Sequence, residues 1–459
     1  MIAATVLLLA SSSRRAAADV PADTVEFMAY GRIGIGWTVT GQTVAGKYMN
    51  LGDHKAIGGR LEEGDYLQPG MRYHLKKPAS KTDTSVDLVT DFEMFSLNGA
   101  LVSDLSNGDI SDIKIMPLQA YVEAKNVLTQ GLTVWIGSRL YRKNDIHICD
   151  YFYFNSLPGQ GVGAFYGGLD VAVLTQTGAS SYFATDLNAG VDPPVKPNIV
   201  QRERTMFIAQ YSVPFGSGST YVQGLGELHV VPRSRNEQQD ASVNPPDWGA
   251  VGGVKVHLDL GGEDFSDASV RLGSGIANGA ESGGSTYNTF GEPGLDGKYS
   301  GALGLEVVEH FMWNVSDIAS INGYGTLHFS RGSTDYVAQP DPMDPGAGPV
   351  VIPNNRFDYS FGARPTLYFS DQFHLITEAT FQTRKDEGLP TGTAVKLSVA
   401  PTIVPTGVRS AWARPEMRLI YTTAIYNQAA VDQRMSPYLQ TMGPNKVAHF
   451  LGVRTEWWF

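Results

Sequence analysis

The feature that most constrains this chain is the alternation of apolar and polar residues over segments of about 9 to 13 residues. In residues 357–369 the odd positions are mostly aromatic or aliphatic, whereas the even positions include Asp358 and Arg364. Successive side chains of a β-strand point to opposite faces, so this pattern predicts a strand with one apolar and one polar face. The pattern recurs at residues 254–260 and 414–419, and helical periodicity is hard to find. The sequence therefore predicts an all-β fold.

Three features favour a transmembrane antiparallel β-barrel over a soluble, lectin-like β-protein, in which strands also alternate. The longer segments match the roughly 9–11 residues of a tilted membrane strand, whereas strands of globular proteins average about 5–6. Aromatic residues lie near the ends of the apolar faces, as they do at membrane interfaces. The connections are unequal, since 370–371 is tight while 232–249 and 331–355 are long and rich in Pro, Gly and Asp. Short turns at one rim and long loops at the other are typical of a membrane barrel.

The two ends of the chain carry features of a secreted protein. Residues 2–10 are apolar but too few to span a membrane, and three alanines precede Asp19. We therefore predict a signal peptide at residues 1–18 and one barrel over residues 19–459. No basic residue precedes the apolar run, so a disordered tail is the alternative. A terminal Phe459 after two tryptophans resembles the sorting signal of bacterial outer-membrane proteins.

Composition and motif spacing argue against several other classes of protein. The net charge of -11 disfavours a nucleic-acid partner, because no basic surface dominates. Cys149 is the single cysteine and cannot form an internal disulfide. The nine histidines are scattered, without a Gly-x-Ser-x-Gly motif or the His and Cys spacings of metal sites. We therefore predict a protein that is not an enzyme, with no catalytic residue, cofactor or metal.

Three separate stretches carry a resemblance to a known family. They are residues 25–37 (VEFMAYGRIGIGW), residues 135–159, which begin WIGSRLY, and residues 410–418 (SAWARPEMR). In order and approximate spacing they resemble the maltoporin (sugar porin) family of the bacterial outer membrane. The resemblance implies an 18-stranded barrel that assembles as a homotrimer, with a constriction loop at about residues 142–165 folded into the pore. Chain length by itself allows about 16 to 20 strands.

The chemistry of sugar passage indicates what such a pore needs along its wall. A pyranose has apolar C–H faces, which stack on aromatic rings for about 1–3 kcal/mol each. Its hydroxyls lose water in a narrow pore and need partners that donate and accept hydrogen bonds. Passage also requires weak binding at several successive sites, so that the ligand can leave. In the family these functions belong to an aromatic slide and an ionic track.

The resemblance assigns residues of this chain to both. Strand parity supports part of the assignment, because Trp458 faces the lumen if Phe459 faces lipid, and Tyr30 shares a face with Arg32. Arg60 and Tyr66 resemble the arginine and the slide tyrosine of a third strand. The aromatic slide is then Tyr30, Tyr66 and Trp458. The ionic track and constriction are Arg32, Arg60, Lys143, Asp145, Asp150 and Phe152.

Several positions depart from the family pattern. Lys143 stands where the family has an arginine, and so lacks the fork that grips two neighbouring hydroxyls. Phe152 stands where the family has a tyrosine. Trp412 and Arg414 are interpreted as strand architecture in preference to sugar contacts. These changes leave a channel for maltose- or maltodextrin-like oligosaccharides as the first prediction. A general or otherwise selective porin without sugar preference is the alternative.

Overall fold

The computed structural model describes residues 25–37, 49–52, 58–96, 101, 113–177, 203–216, 218–235, 243–279, 285–291, 293–294, 296–333, 337–340, 349–352 and 354–459. Within these residues, eighteen strands form one antiparallel sheet. The predicted signal peptide at residues 1–18 lies outside the described residues. The internal gaps fall in the connections between barrel strands, so each of the eighteen barrel strands is described.

Most barrel strands are longer than those of an ordinary globular sheet, as the alternating segments predict. In chain order they are β1 (Val25–Trp37), β2 (Tyr66–Lys76), β3 (Ser85–Ser96), β4 (Ile113–Lys125), β5 (Thr133–Arg142), β6 (Ser156–Tyr166), β7 (Leu169–Thr177), β8 (Glu203–Pro214), β9 (Tyr221–Val231), β10 (Asp247–Gly261), β11 (Asp264–Gly275), β12 (Leu303–Ser316), β13 (Ala319–Arg331), β14 (Asn355–Tyr368), β15 (Phe373–Asp386), β16 (Gly392–Ile403), β17 (Glu416–Tyr426) and β18 (Val447–Trp458).

The sheet closes on itself. Each strand pairs with the next along the chain, and β1 pairs with both β2 and β18. At this seam Tyr30 lies opposite Trp458 and Arg32 opposite Glu456. Closure leaves no unpaired edge among the barrel strands, which is the condition for a sheet to sit in hydrocarbon. The predicted 18-stranded barrel is confirmed.

The two faces of the wall differ as the alternation predicts. In β14, Phe361 is 55% exposed on the outer surface, whereas the neighbouring Ser360 is 3% exposed and faces inward. In β17 the outward residues Met417 and Leu419 alternate with the buried Arg418. The outer surface is therefore apolar and the inner surface polar, as a barrel in a bilayer requires.

The two rims of the barrel are unequal. At one rim β6–β7, β10–β11 and β12–β13 are joined by two residues each. At the opposite rim the connections include residues 38–65, 143–155 and 276–302. Two small hairpins, Ser234–Arg235 with Val243–Asn244 and Val337–Pro340 with Pro349–Ile352, lie in connections at the long-loop rim. So do the short helices α1 (Gln428–Asp432) and α2 (Pro437–Met442). In the described part of the chain no helix has the length and apolarity to cross a bilayer.

Candidate functional site

The connection between β5 and β6 folds into the barrel. It starts beside β5, yet the Tyr151 hydroxyl donates to Glu306 of β12 over 2.7 Å and the Tyr153 hydroxyl to Asp267 of β11 over 3.1 Å. A loop that reaches strands so far around the wall must cross the lumen. The predicted constriction loop of about 142–165 comprises residues 143–155 in the structure, because β6 already begins at Ser156.

Local interactions hold the constriction loop (residues 143–155) in a compact shape. Asp145–Ile146 pairs with Tyr151–Phe152 as a minimal hairpin around a 3₁₀ turn, His147–Cys149. Asp150 ends this turn in the left-handed conformation, with φ of 48°, which aspartate tolerates better than most residues. Phe154, also at positive φ, packs so close to Gly253 that a Cβ there would lie 2.9 Å from the ring. The contacts with the wall therefore over-determine a backbone that is unfavourable in isolation.

The described residues 58–65 of a second connection, between β1 and β2, also lie against the inner wall. In this segment Glu62 forms a fully buried ion pair with Lys396 of β16, with the two charged atoms 2.7 Å apart. Next to it Asp65 accepts a hydrogen bond from the backbone of Gly34 over 2.9 Å. Arg60 thus belongs to an inward-folded loop, and the expectation that it lies on a third strand is wrong. The resemblance places a charge here, but the apolar and polar spacing does not reveal that the loop turns inward.

Three aromatic side chains meet at the seam of the barrel. The Tyr30 and Trp458 rings stack with centroids 6.4 Å apart, and the Tyr66 ring lies 5.8 Å from Tyr30. The Tyr30 hydroxyl donates to Glu456 over 2.9 Å, which fixes the ring against the wall. These are the three rings that the sequence assigns to an aromatic slide, and the inward parity predicted for Tyr30 and Trp458 is confirmed.

Cations flank this aromatic cluster. The Arg32 guanidinium lies 5.4 Å from the Tyr66 ring centroid, and that of Arg414 lies 3.9 Å from the Trp458 ring. Arg414 also donates to Glu456 over 2.8 Å. The interpretation of Trp412 and Arg414 as strand architecture is wrong, because both lie in the connection before β17, and the Arg414 guanidinium covers part of the Trp458 ring.

Arg32, Arg60 and Asp150 converge beside the rings. Arg60 forms ion pairs with Glu63 and with Asp150 of the constriction loop, and Arg32 pairs with Glu63. Burial raises the pKa of Asp150, but the nearby positive charges, including those of Arg60, Arg32 and Arg142, together outweigh it and lower this pKa below its usual range. Asp150 is consequently a carboxylate acceptor at neutral pH. Together these residues present both donors and acceptors within reach of the aromatic cluster.

Lys143, Asp145 and Phe152 do not join this group. Lys143 pairs with Asp170 of β7, on the part of the wall beside β6. The Phe152 ring is covered by the Arg142 guanidinium at 3.8 Å. Asp145 is buried in the hairpin opposite Phe152. Lys143 and Phe152 therefore have different partners from Arg32, Arg60 and Asp150, although all of these residues lie on or beside the constriction loop.

His147 and Glu456 belong to the same site but are not among the sequence-assigned residues. The His147 ring meets the Trp458 ring edge-on at 5.2 Å, and burial lowers the pKa of His147, which favours the neutral form at pH 7. Glu456 accepts from Tyr30, Arg414 and Arg418. Parity with Trp458 places Glu456 in the lumen, but its role as the common acceptor depends on strands that meet only when the barrel closes. Among the described residues no cluster of His, Cys, Asp and Glu is arranged to hold a metal ion.

Comparison with known proteins identifies the family. Solved structures with a similar chain path include OmpT of Vibrio cholerae (10% identity, 96% of this chain and 99% of that chain, TM-score 0.37). Salmonella typhi OmpF in complex with daunomycin is 10% identical (95% and 98%, TM-score 0.43), and Pseudomonas aeruginosa OccK1 is 10% identical (95% and 98%, TM-score 0.44). At these values the likenesses carry no information about what passes through the pore. The LamB porin family model matches residues 25–459. The chain therefore belongs to the LamB porin family and is a porin channel of the bacterial outer membrane rather than an enzyme.

Proposed function

We propose that this porin passes maltose- and maltodextrin-like oligosaccharides by facilitated diffusion. The observation that carries the proposal is the cluster of Tyr30, Tyr66 and Trp458, with successive ring centroids about 6 Å apart, beside groups that donate and accept hydrogen bonds. Sugar rings stack on the partly exposed Trp458 and pass the edges of the Tyr30 and Tyr66 rings, which are only 8% and 7% exposed, while their hydroxyls exchange partners with Arg32, Arg60 and Asp150.

The physical basis is a balance between two weak interactions. Stacking a pyranose face on one ring is worth about 1–3 kcal/mol, enough to favour entry without trapping the ligand. Charged groups fixed at the rim of the sugar replace the water that its hydroxyls lose, which avoids a cost of about 1–3 kcal/mol for each unpaired group. A pore with rings alone or charges alone lacks one half of this balance.

A general porin without sugar preference is the second candidate, and two contacts favour it. Lys143 is neutralised by Asp170, and the Phe152 ring is covered by Arg142. Both side chains are partly exposed, but their partners in this arrangement are Asp170 and Arg142 rather than the rings of the seam. We therefore assign Lys143, Asp145 and Phe152 to the shape and charge of the constriction, and the sugar contacts to the seam.

Single-channel recording with a panel of sugars tests the proposal. Purified protein in a planar bilayer is exposed to maltose, longer maltodextrins and an unrelated disaccharide at millimolar concentration. We expect the maltose series to interrupt the ion current, with stronger block for longer chains. Trp458→Ala should weaken that block by roughly tenfold, as expected from the loss of one stacking partner worth about 1–3 kcal/mol.

The matched control is Trp313→Ala, which removes a tryptophan that is 45% exposed on the outer face. Maltodextrins should block the current of this variant as strongly as that of the wild type. A current that no sugar alters, or an equal loss of block in both tryptophan variants, contradicts the sugar proposal and favours the general porin.

We also propose that the chain functions as a homotrimer surrounded by outer-membrane lipid. The support is its membership of the family and its continuous apolar outer wall, which needs lipid or neighbouring copies to cover it. Chemical crosslinking in native membranes should give a ladder that ends at three subunits. A ladder that ends at one subunit contradicts this assembly.

We propose, finally, that residues 1–18 are a signal peptide and residues 19–459 the mature barrel. The support is the apolar run followed by three alanines before Asp19. Mass spectrometry of protein purified from outer membranes should give a chain that begins at Asp19. A mass that includes residues 1–18 contradicts the cleavage.

A further inference from the structure

One connection at the short-turn rim is unlike the other described turns of that rim. Residues 404–415, between β16 and β17, are the longest described connection at this rim, whereas β10 and β11 are joined only by Gly262 and Glu263. The segment contains Ser410, which is 7% exposed although it lies far from either strand end. A surface turn would leave such a residue in solvent, so residues 404–415 are held against something else.

The contacts of this segment show where it runs. Its first contacts are with the turn between β14 and β15. The backbone N–H of Val404 donates to the carbonyl of Gln372 over 2.9 Å, and Arg409 forms an ion pair with Asp371 over 2.8 Å. The Ser410 hydroxyl then lies 2.9 and 2.8 Å from the two carboxylate oxygens of Glu263. Glu263 is in the turn before β11, five strands from β16, which is about 25 Å along the wall at the usual strand spacing. The segment therefore passes inside the rim and spans part of the mouth.

The same segment then contacts the constriction loop. The Trp412 ring lies 5.9 Å from the His147 ring, and Arg414 lies 3.3 Å from the His147 imidazole nitrogen Nε2. The cavity between the segment and the loop is about 20 Å³, little more than the space of one water molecule. The segment and the constriction loop are thus packed together.

We propose that residues 404–415 form a strap across the short-turn mouth, which buttresses the constriction loop and limits the width of the exit. The Ser410–Glu263 hydrogen bond is its clasp. The width of the pore is then set from both rims, by the constriction loop from one side and by the strap from the other. The inference depends on the chain being a channel and is independent of which solute it passes.

The clasp variants Ser410→Ala and Glu263→Gln test the strap. Each removes part of one hydrogen bond at the rim, so the barrel itself is retained. We expect single-channel conductance to rise by less than about twofold, because the constriction loop remains in the pore, and current noise to increase. The double variant should match Ser410→Ala, because that variant already removes the hydroxyl that donates to residue 263. Glu263→Gln keeps an amide oxygen as a weaker, uncharged acceptor, so its effect should be in the same direction but smaller.

Asp317→Asn is the matched control, because it removes one carboxylate charge from the exposed turn between β12 and β13 at the same rim. It should leave conductance and noise unchanged. A second measurement is the size limit of neutral polymers added from the short-turn side, which should increase in both clasp variants. Clasp variants that match the control in conductance, noise and polymer exclusion overturn the proposal.

Sugar block reports separately on the proposed function. If the strap only narrows the exit, the clasp variants change conductance while maltodextrin block persists at the seam. The strap and the aromatic slide are separate features if Trp458→Ala loses sugar block while Ser410→Ala still raises the conductance. If sugars block neither the wild type nor any variant, the sugar proposal is wrong. The strap is then still decided by the conductance of the clasp variants.

Discussion

At the scale of single residues, Asp150 illustrates how the site depends on partners that are remote in sequence. Its carboxylate meets Arg60, which lies on the other inward-folded loop. Asp150 and Arg60 can be named from the resemblance to a family, but their pairing cannot be read from spacing. It exists because two loops from different parts of the chain turn toward the same point of the lumen.

We expect Asp150→Asn to weaken maltodextrin block by roughly tenfold, because a hydrogen bond to a charged group is worth about 1.5–3 kcal/mol. The pH dependence follows from the lowered pKa of Asp150. Because this pKa is lowered, the Asp150 carboxyl stays ionised, and keeps its ion pair with Arg60, until the pH falls to the lowered value. The ratio of block between wild type and Asp150→Asn should therefore stay constant from pH 7 to pH 5. Current recordings at both values check this, and a ratio that already shrinks at pH 5 contradicts the ion pair.

Arg414 supplies a second test at this scale. Its guanidinium lies over the Trp458 ring and reaches Glu456 at the same time. Arg414→Lys retains the charge but loses the planar group that stacks and donates from several nitrogens. We expect weaker sugar block with little change in ion conductance, measured in the same bilayers. Equal block in wild type and Arg414→Lys would show that stacking on Trp458 by the arginine is irrelevant to sugar passage.

At the scale of structural elements, strands were predictable and loop paths were not. Alternation places Phe361 outside and Ser360 inside, because a buried polar face and a lipid face impose opposite chemistry on neighbouring positions. No such rule governs residues 58–65, where Leu61, Glu62 and Glu63 are all buried. Their environment depends on which strands the loop reaches, and this is decided by tertiary contacts such as Glu62–Lys396.

The Glu62–Lys396 pair gives the prediction at this scale. Lys396→Met leaves a buried carboxylate without its cation, and breaking such a pair costs about 3–5 kcal/mol. We expect residues 58–65 to leave the wall and become sensitive to added protease, with weaker sugar block because Arg60 loses its position. Limited proteolysis in detergent measures the first effect, and bilayer recording the second.

Lys385→Met is the matched control, since Lys385 is exposed on β15 and the same change there removes no buried pair. The double variant Glu62→Leu with Lys396→Met removes both charges and should restore much of the protease resistance. If Lys396→Met and Lys385→Met are equally resistant, the buried pair does not hold this loop.

At the scale of the whole molecule, the barrel is complete only when β1 and β18 pair. Removing residues 447–459 should leave β1 and β17 with unpaired edges, which hydrocarbon does not tolerate. We expect this shortened chain to give no heat-modifiable folded band on cold SDS gels and no channels in bilayers. A folded, conducting protein would contradict the closure at this seam.

The seam also bears on when the pore acquires its lining. Tyr30 comes from the first strand and Trp458 from the last, so the two stacked rings are brought together by the same event that joins the wall. A partly inserted barrel thus has neither a watertight perimeter nor a continuous aromatic surface. Assembly and function share one final step, and intermediates cannot become selective pores before the joint is made.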